Sequence, residues 1–94
     1  MLYLNVLLTV TNPADVESVK GLLIEQGNHS RQEPGCARFE VYHSTADPAK
    51  FLLVERWESQ QAVDAHRQAY AYTQIYQPKV LPLVTREGHP SSLL

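Results

Sequence analysis

Three side chains in the stretch VERWESQQAVDAHR are able to do chemistry together: Glu55, Trp57 and His66. Glu55 and Trp57 share one face at the end of an apolar run, because alternate residues of a strand point the same way. His66 lies on the helix that follows. A carboxylate beside an imidazole can take up and return a proton near neutral pH. An indole adds a flat apolar wall and one N–H donor. Each group also has a structural reading. His66 can be an imidazole hydrogen-bonded inside a core, and Trp57 can be packing under a helix. Glu55 either keeps its head in water at a frayed strand end or is buried with a raised pKa. Cys36 reads as a small core residue, and His29 and His43 as surface groups.

The helix carrying His66 gives the reason to expect a cavity. Ser59 can cap it, and Ala62, His66, Ala69, Thr73, Tyr76 and Val80 recur at helical spacing. This single stripe is expected to face a sheet. Ala62, Ala69 and Thr73 are small, and the bulky members, His66 and Tyr76, are polar at the tip. A helix that only fills a core carries Leu, Ile or Phe there, because interiors are packed without voids. Room around an imidazole, with Tyr70 and Tyr72 flanking the stripe, predicts a small-molecule site. The tyrosines read equally as an aromatic interface cluster.

The positioning elements follow from periodicity. Residues 3–11 alternate as a strand, with Leu4, Val6, Leu8 and Val10 on one face. Asn12-Pro13-Ala14-Asp15 starts a helix through Val16, Val19, Leu22, Leu23 and Gln26. Gly27 comes near its end; if the helix runs on, His29 returns to the buried side. Glu33-Pro34-Gly35 is a turn, residues 37–44 and 51–57 are strands, and a turn joins them. The second helix ends or kinks near Gln77, because Pro78 and Pro82 each remove a helical hydrogen bond. VLPLVTRE reads as a kinked helix or a last strand. The order predicts an α+β class, a ferredoxin-like split βαβ sandwich with an antiparallel sheet and both helices on one face. Leu7, Leu52 and Val54 lie on the other face, so a homodimer through the sheets is expected.

Composition narrows the partners. The chain of 94 residues fits one domain, residues 1–94. Its net charge is −2 with scattered basic residues, against nucleic acid or an anionic membrane as partner. No apolar run reaches the ~18 residues of a span, and the alternating N-terminus reads as a strand rather than a signal peptide. The one cysteine excludes an internal disulfide. The four histidines lack HxxxH or HxH spacing, so no metal site is expected. A soluble cytoplasmic protein is the simplest reading.

EPGCARFEVY followed by FLLVERWESQQAVDAH resembles the antibiotic biosynthesis monooxygenase family. The resemblance rests on Glu33, Pro34, Gly35, Cys36, Phe39, Glu40, Glu55, Trp57, Ser59, Ala65 and His66, and spans residues 1 to about 76. It implies a dimeric α+β barrel with a cavity between sheet and helices in each protomer. The haem-degrading branch has Trp at the place of His66 and its iron-binding His at that of Tyr76, so haem is not expected here. The anthrone oxygenases carry Asn where Leu53 stands. The isomerase branch shares His66, an acid at Glu40 and a His near His29. The activity implied is cofactor-independent monooxygenation of a quinol- or anthrone-like molecule, with molecular oxygen as co-substrate and no metal or flavin. His66 would be base or hydrogen-bond donor, oriented by Glu55. Trp57, Tyr70, Tyr72 and Tyr76 would hold the ring, with His29 and Glu40 completing the substrate-binding set. The rival readings are an isomerase or enolising enzyme, and a non-catalytic dimeric binding module.

Overall fold

The computed structural model describes residues 1–94. Strand β1 (Leu2–Val10) leads through a 3-10 turn (Pro13–Asp15) into helix α1 (Val16–Ser30). Strands β2 (Cys36–His43) and β3 (Lys50–Trp57) follow, then helix α2 (Gln60–His66). A π-helix, α3 (Ala71–Val80), and a short 3-10 turn (Leu81–Leu83) lead into strand β4 (Val84–Ser91). The sheet order is β2-β3-β1-β4 with every pair antiparallel, the ferredoxin-like arrangement expected.

Local chemistry explains the helix starts. Asn12 Oδ1 accepts the Ala14 N–H at 3.0 Å, and Ser59 Oγ accepts that of Ala62 at 3.1 Å. Each satisfies an amide that the first turn leaves without a partner. One sheet face is covered. Val6, Leu8 and Val10 of β1 meet Phe51 and Leu53 of β3, Val19 and Leu23 of α1, and Tyr76 and Val80 of α3. A smaller cluster joins Phe39, Trp57 and Val63 at the end where the site lies. The opposite face is open: Leu52 and Tyr42 are large apolar groups left 41% and 47% exposed.

The second half departs from the periodic reading in two ways. The stripe expected to run from Ala62 to Val80 on one helix is broken, because α2 ends at His66 and the chain re-enters a helix with wider winding. This changes which residues face inward. Val63, Ala71 and Ile75 are buried, whereas Ala62, Ala69 and Thr73 are only partly covered. The stripe is therefore less empty than it reads, since Val63 and Ile75 fill space. Pro78 sits inside α3 rather than ending it, and the helix runs to Val80. Proline has no N–H to donate in either winding, and the helix continues past that single gap. The ambiguous segment VLPLVTRE divides at Val84, and β4 continues through Pro90 on the sheet edge, where a proline is tolerated.

Candidate active site

The register sets the site. β1 and β3 pair Leu4 with Glu55 and Leu2 with Trp57. Glu55 and Trp57 thus share the covered face, and the Trp57 N–H donates to Glu55 Oε1 at 3.0 Å. Glu55 is 6% exposed, so of its two readings the buried one holds. Burial raises its pKa; the Trp57 bond and the charges of His66, Arg86 and Arg67 work against that.

His66 closes the last turn of α2 and is buried. Its ring stacks obliquely on Trp57, centroids 4.4 Å apart, and meets Tyr72 edge-on at 5.7 Å. The carboxylate bonded to it is not Glu55, as expected from the sequence, but Glu33, whose Oε1 lies 2.7 Å from Nδ1. Gly35 makes this possible. Its φ of +82° folds the chain so that a Cβ there would lie 2.5 Å from the Ala62 Cβ. Only glycine allows the Glu33–Cys36 turn so close to α2. Burial raises the Glu33 pKa to about 7 and lowers that of His66. Both shifts favour the neutral forms.

In front of His66 lies a cavity of about 260 Å³. Glu55, His66, Tyr72 and Tyr76 line it, with Leu4 and Leu81 as apolar walls. Gln26 of α1 also reaches it; this side chain is 1% exposed, and its Oε1 has no hydrogen-bond partner. Arg67 and Arg86 complete the rim. Arg86 Nε donates to the Tyr76 hydroxyl at 3.0 Å, while burial raises the Tyr76 pKa.

The other expected site residues are elsewhere. Trp57 is fully buried behind His66 and does not line the cavity, because Glu55 and the imidazole stand in front of it. Tyr70 is 57% exposed and packs on His29, 4.9 Å between centroids, outside the cavity. α1 does continue past Gly27, but His29 is exposed rather than turned inward. Glu40 lies on the open sheet face, bonded to Arg38 at 2.6 Å and to the Tyr42 hydroxyl at 2.5 Å, because it alternates with the inward-facing Phe39.

Four site residues escaped the sequence reading. Glu33 stood in the quoted turn without a role. Gln26 was visible as a polar residue at a buried helix position, which is itself a signal. Arg86 required knowing that β4 begins at Val84, and Arg67 required knowing that α2 stops at His66. No group of three His, Cys, Asp or Glu side chains forms a metal-ligating cluster. No helix is long and apolar enough to cross a membrane.

The family model for antibiotic biosynthesis monooxygenase matches residues 1–77. Solved structures share the fold over nearly all of both chains. A structure of an antibiotic biosynthesis monooxygenase has a TM-score of 0.91 at 22% identity, covering 100% of this chain and 99% of that one. A conserved protein of unknown function from Bacteroides thetaiotaomicron, described as a possible oxidoreductase, gives 0.88 at 22%, covering 96% and 94%. Rv0793 from Mycobacterium tuberculosis gives 0.81 at 24%, covering 99% and 96%. No curated protein matches the chain.

Proposed function

The chain belongs to the antibiotic biosynthesis monooxygenase family, and from that membership and its cavity we propose that it oxygenates a small hydroxylated aromatic compound directly with molecular oxygen. The observation that carries this reading is the joining of a proton-holding His66–Glu33 pair to an aromatic-walled cavity containing Glu55. Direct oxygenation needs a substrate that becomes an electron-rich anion. With Glu33 ionised and accepting from Nδ1–H, the His66 Nε2 lone pair is left for the phenolic proton. The anion passes an electron to oxygen, and the two radicals join as a peroxide. Loss of water then leaves the oxygenated ring. For a quinol the balance is quinol plus O₂ to hydroxyquinone plus water. For an anthrone, the ring CH₂ becomes a carbonyl and the second oxygen leaves as water. The substrate supplies all the electrons, so no cofactor is required. Glu55, whose pKa burial raises, is placed to donate the proton that water formation needs. Tyr72 and Tyr76 hold the ring, and Trp57 positions His66 and Glu55 from behind.

We also propose a homodimer through the open sheet face, supported by the exposed Leu52 and Tyr42. Enolisation or isomerisation of a small carbonyl compound is the second reading. It is favoured by two proton-exchanging groups, Glu55 and His66, in one cavity. Oxygen uptake by metal-free protein with quinols and anthrones, against His66→Gln, separates the two.

A further inference from the structure

The proposed chemistry uses Glu55, His66 and the tyrosines but leaves two cations on the cavity wall without a role. Arg67 and Arg86 both line it. Neither forms an ion pair: the pairs in the chain are Arg38–Glu40, His66–Glu33 and His89–Glu87. Arg67 makes no side-chain hydrogen bond. Arg86 uses only Nε, on the Tyr76 hydroxyl at 3.0 Å. That bond fixes the guanidinium plane and keeps its two terminal nitrogens for another acceptor. Gly88 gives the fork room, since a Cβ there would lie 2.6 Å from Nη1. The two arginines come from different elements, the end of α2 and β4, and converge on one cavity. A pre-oriented fork is the geometry that recognises a carboxylate with two parallel bonds.

A second observation points to a ligand. Gln26, a buried amide with Oε1 unpartnered, lines the same cavity, an arrangement that costs stability unless a bound group satisfies it. A phenolic hydroxyl can donate to it. The size of the cavity sets the rest. A volume of about 260 Å³ is at the small end for a ligand site, which favours a compact aromatic ligand.

Resting on the function proposed above, we infer that the substrate is a small hydroxyaromatic carboxylate, its acid group held by Arg86 and Arg67 and its hydroxyl turned to His66 and Gln26. The carboxylate thereby fixes which ring position faces the proton-transfer groups. The cations also attract an acidic substrate to the mouth, an effect that salt screens.

The test is equilibrium binding, read by Trp57 fluorescence, without turnover and under nitrogen. The probes are 2,5-dihydroxybenzoate, its methyl ester, hydroquinone and inorganic phosphate. The acid is expected to bind at least tenfold tighter than the ester and hydroquinone, and more weakly as salt is raised. Arg86→Gln and, separately, Arg67→Gln should narrow that gap, while Arg86→Lys restores only part of it. Equal binding of acid and ester, or binding of neither at millimolar concentration, overturns the inference. Phosphate binding as tightly as the acid also overturns it, in favour of a simple anion site. Equal binding of all three aromatics would leave the aromatic cavity standing without an acid subsite. Failure of the oxygenase reading shows separately, as absent oxygen uptake with an acid that binds.

Discussion

Glu33 and His66 lie 33 residues apart in the chain and 2.7 Å apart in space. The pair gives the imidazole an oriented partner, and both members are shifted towards their neutral forms. Glu33→Gln preserves a hydrogen-bonding shape but removes the group that shares the proton. Turnover is expected to fall about tenfold or more with little change in KM, and the acidic limb of the pH–rate profile should move. A loss confined to KM would assign Glu33 to substrate binding instead.

The same residue makes a prediction about stability. Its folded pKa of about 7 stands above the ordinary 4.5, so its contribution is complete below pH 4.5 and is lost as pH rises through 7. Glu55, also raised, acts in the same direction. His66, lowered by burial, acts oppositely: its contribution is present above its ordinary 6.5 and lost as pH falls through the lowered value. Urea titrations at about pH 5 and pH 8 should show a smaller loss across that interval in Glu33→Gln than in the wild type.

Gly35 holds the turn against α2. Gly35→Ala must leave the left-handed region or push Ala62 away, and should cost about 2–4 kcal/mol. Because the turn carries Glu33, the variant's pH–rate profile should shift in the same sense as that of Glu33→Gln. A stable variant with wild-type kinetics would mean that the turn does not position the pair.

Packing and chemistry separate along α2 and α3. Ile75→Ala should cost about 2–5 kcal/mol by leaving a cavity, with the activity of the surviving folded protein largely retained. His66→Gln should do the reverse, abolishing turnover while the thermal midpoint stays near that of the wild type. A large unfolding effect in His66→Gln would place the imidazole among the structural residues.

The open sheet face predicts the assembly. Leu52→Lys should convert a dimer to monomer in sedimentation equilibrium, because it places a charge in an apolar contact. Leu93 and Leu94 lie exposed beyond the end of β4 at Ser91, and a dimer of unchanged strength after removal of residues 92–94 would show that they take no part in it. A wild-type monomer at micromolar concentration would contradict the sheet-to-sheet dimer.

Much of this was legible in residue order. The all-apolar face of YLNVLLTV and the apolar run of FLLVERW marked two strands, and the Asn12 and Ser59 caps marked where the chain turns helical, at the 3-10 turn before α1 and at α2. Together they yield the ferredoxin-like sheet. The helix-forming segment after Ser59 was harder, because two windings meet there. A break at His66 followed by π-helical winding shifts the inward phase, so Val63 and Ile75 replace Ala62 and Thr73 in the core. Site residues carried by β3 and α2 were foreseeable from face and spacing. Partners joined by tertiary contact were not: Glu33 reaches His66 only because Gly35 turns the chain, and Arg86 enters only through the register of β4 on β1.

The most direct test of the central claim is oxygen consumption by metal-free protein with quinol and anthrone substrates, run beside His66→Gln. Consumption of one O₂ per substrate is expected from the wild type and none above background from the variant. Equal consumption by both proteins, or oxygenation that appears only when a metal or flavin is added back, would contradict it.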